Sequence, residues 1–365
     1  MENVRLIFQI LEVAAFVVLC LLPIIVLLLV YIYLKRKILK KIEYRRYFTS
    51  PGVFEGEEVL LVEEITNRSP LPLFRVEVET LIPDGLYLEG MDKGTGEFIS
   101  PFYLKGHMTI RRTHKVKCLK RGYFELESGG ILFARDMIYL NSHAELFVYP
   151  KTLFVEEKNR LELFLQNQDQ SNRPLVRDLF SFSGIRDYER GDSFHSINFK
   201  ATARYGQIKV NNTDFLAGKR QMIYVNFQSS ADGMGVEAYR TYMERALCYS
   251  AYLIDKAVSQ GYEVGFAANS RMVNGDNYVR YPMSRGGWNY EEILKELASI
   301  RMGRGNSLAS LLEYDIKEQL NHTELYVMTI YTDERMEEKL KILEQMDNCV
   351  NIIWLTEIEE VREVG

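Results

Sequence analysis

The stretch GIRDYERGDSFHSINFKATARYG, from Gly184 to Gly206, is the densest concentration of potential chemistry in the chain. His195 stands there close to Asp187 and Asp192, the residue types a hydrolase uses as a base and its orienting acid. A catalytic histidine needs a positioned partner, and none of the five histidines has an evident Ser or Cys nucleophile beside it. The chain has no G-x-S-x-G elbow, no G-x-x-x-x-G-K-[ST] and no G-x-G-x-x-G opening a helix after a strand. Hydrolysis of the nucleophile-elbow type and ATP turnover by this chain are therefore not expected. The carboxylate pairs Glu63-Glu64, Glu156-Glu157 and Glu359-Glu360 are adjacent, so their side chains do not face each other as a glycosidase pair must. The four cysteines lie far apart with no C-x-x-C, which argues against zinc or dithiol redox chemistry and suits a reducing compartment. A net charge of −5 suggests no nucleic-acid partner.

The local chemistry of the stretch points to a brace or a docking surface rather than proton transfer. Gly191 permits a tight turn, and Asp192 is placed to cap a short helix starting near Ser193. Phe194, Ile197 and Ala201 then recur at helical spacing. Lys200 and Arg204 lie four apart, and their repulsion needs acids nearby, for which Asp187, Glu189 and Asp192 are available. Such carboxylate–guanidinium forks serve rigidity and recognition alike.

Four regions must carry these residues. Residues 1–46 form the first: Val13 to Leu34 is uninterrupted by charge, with Pro23 as its one breaker, and predicts a transmembrane helix. The basic run KRKILKKIEYRR follows it, so the positive-inside rule predicts a single-pass protein with its N-terminus outside and its domains in the cytoplasm. Residues 47–150 read as an all-β sandwich. In LFRVEVETL, Phe74, Val76 and Val78 alternate with Arg75, Glu77 and Glu79, and Ile110, Val116 and Cys118 share a parity opposite Arg111, Lys115 and Lys117. Residues 151–183, with QNQDQSNRP, read as a linker. Residues 184–365 alternate strands such as MIYVNFQ, YEVGFAA and ELYVMTIY with helices over 236–259, YEEILKELASI and ERMEEKLKILEQM. That alternation predicts a doubly wound α/β sheet.

In such a sheet, ligands collect beyond the C-terminal ends of the strands. There the sequence places Asn226-Phe227-Gln228-Ser229-Ser230, Asn306-Ser307 and Thr332-Asp333. This pattern resembles a von Willebrand factor A domain, whose adhesion site gathers Asp-x-Ser-x-Ser, a loop Thr and a loop Asp around magnesium. The resemblance is degenerate, because Asn226 replaces the Asp and Gln228 the first Ser. Asn226, Ser230, Ser307 and Asp333 are the candidate magnesium ligands, but loss of a negative ligand weakens such a site. A neutral amide can instead close it with hydrogen bonds. The expected cofactor is none, with magnesium as the alternative.

Gly184, Arg186, Tyr188, Gly191, Asp192, Ile197, Lys200, Ala203 and Arg204 together resemble the defining motif of the bacterial family called domain of unknown function 58. Phe199 stands where that family usually has Trp. PGVFEGEEVLLVEEITNRSPLP, RRTHKVKCLKRGYFELESGGI and LFVYP resemble the family's sandwich segments, whereas ARDMIYL departs from its pattern. The resemblance implies a membrane-bound, non-enzymatic partner of MoxR-type AAA+ ATPases or of other von Willebrand factor A proteins. It implies no established activity. The expectation is thus a scaffold or adaptor for cell-envelope assembly or maturation. The alternatives are a magnesium-dependent binding module and a hydrolase built on His195 with Asp192 or Asp187.

Overall fold

The structure is a computed structural model that describes residues 19–34, 36–37, 40–92, 94–133, 136–172, 185–187, 199–211, 220–229 and 234–358. Its first helix, α1, covers residues 19–34, and its side chains are exposed. Among the described residues no helix is long and apolar enough to cross a membrane. This corrects the expected transmembrane helix and, with it, the single-pass placement that followed from the charge rule. The apolar run was counted from Val13, and residues 13–18 lie outside the described residues.

The chain divides into two units, the first comprising Met1–Lys120 and Phe124–Phe147, the second Arg121–Tyr123 and Val148–Gly365. The first is built on β1 (Ile42–Phe48), β2 (Gly52–Phe54), β3 (Glu58–Asn67), β4 (Leu73–Leu81), β5 (Leu86–Leu88), β6 (Glu97–Leu104), β7 (Met108–Cys118), β8 (Gly122–Phe133) and β9 (Asp136–Tyr149). They form two sheets, β1-β3-β7-β5 and β2-β9-β8-β4-β6. Ile42, Tyr44 and Ile65 of one sheet share a core with Leu73, Val76, Val78, Leu104 and Ile131 of the other. Period-two alternation explains most of this burial. Phe74 is the exception. A register shift between Leu73 and Val76 turns it outward, so that it is 68% exposed and meets Tyr103 with ring centroids 5.2 Å apart.

The second unit begins with α2 (Val155–Asn172), followed by β10 (Ile185–Asp187), α3 (Phe199–Tyr205) and β11 (Lys209–Asn211). Next come β12 (Arg220–Val225), α4 (Val236–Ser259), β13 (Glu263–Ala268), β14 (Ser270–Met272), β15 (Val279–Ser284) and α5 (Gly287–Ser299). It ends with β16 (Ile300–Arg304), α6 (Leu308–Lys317), β17 (Thr323–Thr329), α7 (Glu334–Gln345) and β18 (Cys349–Trp354). The main sheet runs β15-β13-β12-β17-β18, with β15 antiparallel to its neighbour and the other pairings parallel. Met222 and Tyr224 of β12 pack with Leu308, Leu311 and Leu312 of α6 and with Met336, Leu340 and Leu343 of α7. The strands read as continuous apolar runs because both faces are covered. α4 spans the residues whose helical spacing predicted it, whereas α2 occupies much of the stretch read as a linker.

Candidate functional site

The place to look is set by topology. From β12 the chain goes first to β13 on one side and later to β17 on the other, so the strand order reverses around β12. The residues just beyond these strand ends are where a doubly wound sheet positions its polar groups. Asn226 follows β12, Asn269 follows β13 and Thr329 ends β17, and all three are fully buried. Gln228 joins them at 5% exposure.

These side chains satisfy one another. Asn226 Nδ2 donates to Thr329 Oγ1 at 3.1 Å and to the Tyr331 carbonyl at 2.8 Å. Its Oδ1 accepts from the Gln228 backbone N–H and from Asn269 Nδ2, each at 3.1 Å. A primary amide offers two donors and two lone pairs, so Asn226 has no capacity left for a metal or a proton. Asn269 Oδ1 accepts from the Phe227 N–H at 2.7 Å, and Gln228 Oε1 accepts from the Leu308 N–H at 3.0 Å. The last bond caps α6 from a neighbouring loop, since Ser307 at the N-cap makes no side-chain cap bond. Tyr239 of α4 closes the edge by donating to the Phe227 carbonyl at 2.8 Å, and burial raises its phenol pKa to about 12. The result is a neutral hydrogen-bonded plug joining β12, β13, β17 and α6.

The candidate magnesium ligands are distributed otherwise. Asn226 lies in the plug, and Ser307 is the N-cap residue of α6. Asp333 caps α7, accepting from the Met336 N–H at 2.8 Å. Ser230 lies outside the described residues. Among the described residues no group of three or more His, Cys, Asp and Glu side chains could hold a metal ion.

Of the motif, Gly184, Tyr188, Gly191, Asp192 and Ile197 lie outside the described residues, as does His195. Arg186 stands in β10 opposite Val210 of β11, and Asp187 stands opposite Lys209. Phe199 and Lys200 open α3, and Arg204 is exposed in its last turn. Thr202 Oγ1 accepts from the Lys209 N–H at 3.0 Å, tying α3 to β11. Gly206 ends the helix at φ +68, the left-handed conformation that favours glycine, with its N–H on the Thr202 carbonyl at 2.9 Å.

Two further polar centres escaped the sequence reading. Asp315 of α6, fully buried, accepts from Tyr224 Oη at 2.7 Å and from Arg280 Nε at 3.1 Å, with Arg280 Nη2 closer still. Arg280 also stacks on Tyr314, 4.5 Å from the ring centroid. Burial, reinforced by the Asp315 charge, holds the Tyr224 phenol well above its ordinary range. Arg121 is held with Glu244, Nε to Oε2 at 2.8 Å, and its Nη1 donates to the carbonyls of Leu297 and Ile300 at 2.7 and 2.8 Å. A helix C-terminus attracts such a cation. Both are closed ion pairs with backbone or aromatic support, a structural arrangement.

No curated protein matches the chain. Among solved structures, the CARDB domain of the PF1109 protein from Pyrococcus furiosus, in complex with di-metal ions, is 10% identical with a TM-score of 0.23. That likeness covers 29% of this chain and 91% of the other. The Pseudomonas fluorescens alkylpurine DNA glycosylase AlkC, bound to DNA containing an abasic site analog, is 12% identical with a TM-score of 0.20, covering 30% of this chain and 31% of the glycosylase. Residues 184–361, which hold the polar plug, match the model of the family described as Protein of unknown function DUF58.

Proposed function

We propose that the chain is a non-catalytic scaffold or adaptor that works with a MoxR-type AAA+ ATPase, or with another von Willebrand factor A protein, in cell-envelope assembly or maturation. The observation that carries this reading is the plug of Asn226, Gln228, Asn269 and Thr329 at the strand ends. Where a doubly wound enzyme keeps free carboxylates or phosphate-binding loops, these groups are neutral and mutually bonded. The same pattern supports reading the α/β unit as a von Willebrand factor A-like module whose adhesion loop has become structural. A partner protein, not a small substrate, is then what the unit recognises, and ATP turnover belongs to the partner. The matched family model, described as of unknown function, supports this reading in that no reaction is assigned to it.

The test mixes the purified full chain with a purified MoxR-type ATPase. Co-elution as one complex, with a changed rate of ATP hydrolysis, is expected. Separate elution with an unchanged rate, at concentrations well above micromolar, rules the pairing out. Hydrolysis of ester or phosphate substrates by the chain alone would overturn the non-catalytic reading.

A further inference from the structure

Among the described residues, the charges that face the interior of the β unit include Arg46, Glu63 and Arg112. Register aligns Arg46 of β1, Glu63 of β3 and Arg112 of β7 in one row across three strands. All three point toward the core, since they share parity with Tyr44, Ile65 and Val116. Glu63 is 1% exposed, and both its oxygens are occupied. Oε1 accepts from Tyr44 Oη at 2.5 Å, while Oε2 accepts from Arg112 Nη2 at 2.7 Å and lies 3.0 Å from His114 Nε2.

Arg46 is left over. It is 3% exposed, and its Nε donates to the Ser142 carbonyl at 3.1 Å. Its Nη1 and Nη2 meet no hydrogen-bonding partner among the described residues, and neither does the buried Oγ of the same Ser142. The Tyr44 ring, 5.9 Å from the guanidinium carbon, is a weak supplement. A buried guanidinium with two unmet nitrogens is strongly unfavourable unless a counter-charge accompanies it. Water would satisfy the donors but leave the charge uncompensated.

We propose that the β unit binds one small monovalent inorganic anion, of the size and charge of chloride, held by Nη1 and Nη2 of Arg46 and by the Ser142 hydroxyl. Size follows from the surroundings. The Tyr44 ring packs so closely on Gly129 that a Cβ there would lie 2.5 Å from it, and Ile65, Val78 and Ile131 of the same core are fully buried. A larger, more strongly hydrated dianion would require both more room and a second cation.

The full chain is melted in sodium chloride and in sodium gluconate at equal ionic strength. Above the dissociation constant, each tenfold rise in chloride should raise the transition of the β unit by about 3–6 °C. Arg46→Met should abolish that dependence. Should that variant fail to fold, crystals of the wild-type chain soaked in bromide provide an independent reading. An anomalous peak within hydrogen-bonding distance of Arg46 Nη1 or Nη2 is expected. Equal melting in the two salts, or no bromide at Arg46, overturns the proposal in favour of buried water alone.

Discussion

Asn226 shows how far one atom's identity decides what a strand end can do. Its Nδ2 donates to Thr329 Oγ1 and the Tyr331 carbonyl, positions at which a carboxylate would place a second acceptor. Asn226→Asp should therefore destabilise the chain by about 3–5 kcal/mol at neutral pH, as an unpaired buried charge does. Acid should restore part of the loss, because the protonated carboxyl can donate again, and urea melts at two pH values would read both. Glu63 has the opposite sign. Burial alone would raise its pKa, but the hydrogen bonds from His114 and Tyr44 and the charge of Arg112 outweigh it, and the net shift is below the ordinary 4.5. The folded state then binds fewer protons than the unfolded state between the two pKa values. Its stabilisation is present above the ordinary carboxylate range and is lost as pH falls through the depressed value. Glu63→Gln should flatten the acid limb of a melting-temperature profile while lowering the plateau at neutral pH. An acid limb of unchanged steepness would exclude Glu63 as its origin.

At the level of elements, the plug depends on close backbone approaches as well as amides. Gly305 follows β16, donates its N–H to the Asn269 carbonyl at 2.9 Å, and lies so near Asn277 that a Cβ would sit 1.9 Å from that carbonyl oxygen. No rotamer change relieves a backbone clash, so the loop leading into α6 must shift, weakening the Gln228 bond that caps the helix. Gly305→Ala should cost roughly 1–3 kcal/mol, in the range of forced backbone shifts. Amide hydrogen exchange should show faster exchange at Leu308 while α7 is unaffected; protection unchanged at Leu308 would disprove the coupling. Strand and helix positions were largely legible, because apolar periodicity survives in single sequences: LFRVEVETL became β4 and residues 236–259 became α4. Face assignment was less so. The register shift that turns Phe74 outward depends on how β4 meets β6, which alternation within one strand does not encode. Arg112 and His114 share parity with Ile110 and Val116, and only their contacts with Glu63 of the neighbouring strand explain such side chains on that face.

For the whole molecule, the question is what each unit leaves free to bind. The α/β unit keeps its strand-end polar groups closed, and the expected consequence is indifference to magnesium. Calorimetric titration of the full chain with magnesium should give no binding heat and no change in melting temperature; saturable heat would reopen the adhesion-module alternative. The motif from Gly184 to Gly206 was the most specific signal in the sequence, and what is described of it is the β10–β11 pairing and α3. By itself the sequence indicated many of the strands and helices, because apolar period and turn chemistry are local properties of the chain, although α2 was read as a linker. It also excluded the phosphate loop and the nucleophile elbow, whose geometry requires particular residues at short spacing. Tertiary structure decided what the polar residues do. Asn226, Asn269 and Thr329 are 43 to 103 residues apart in their mutual bonds, as are Arg46 and Ser142 at 96. Whether such groups become ligands or cancel one another is settled by sheet order and register, which bring distant strand ends within about 3 Å, the reach of a hydrogen bond.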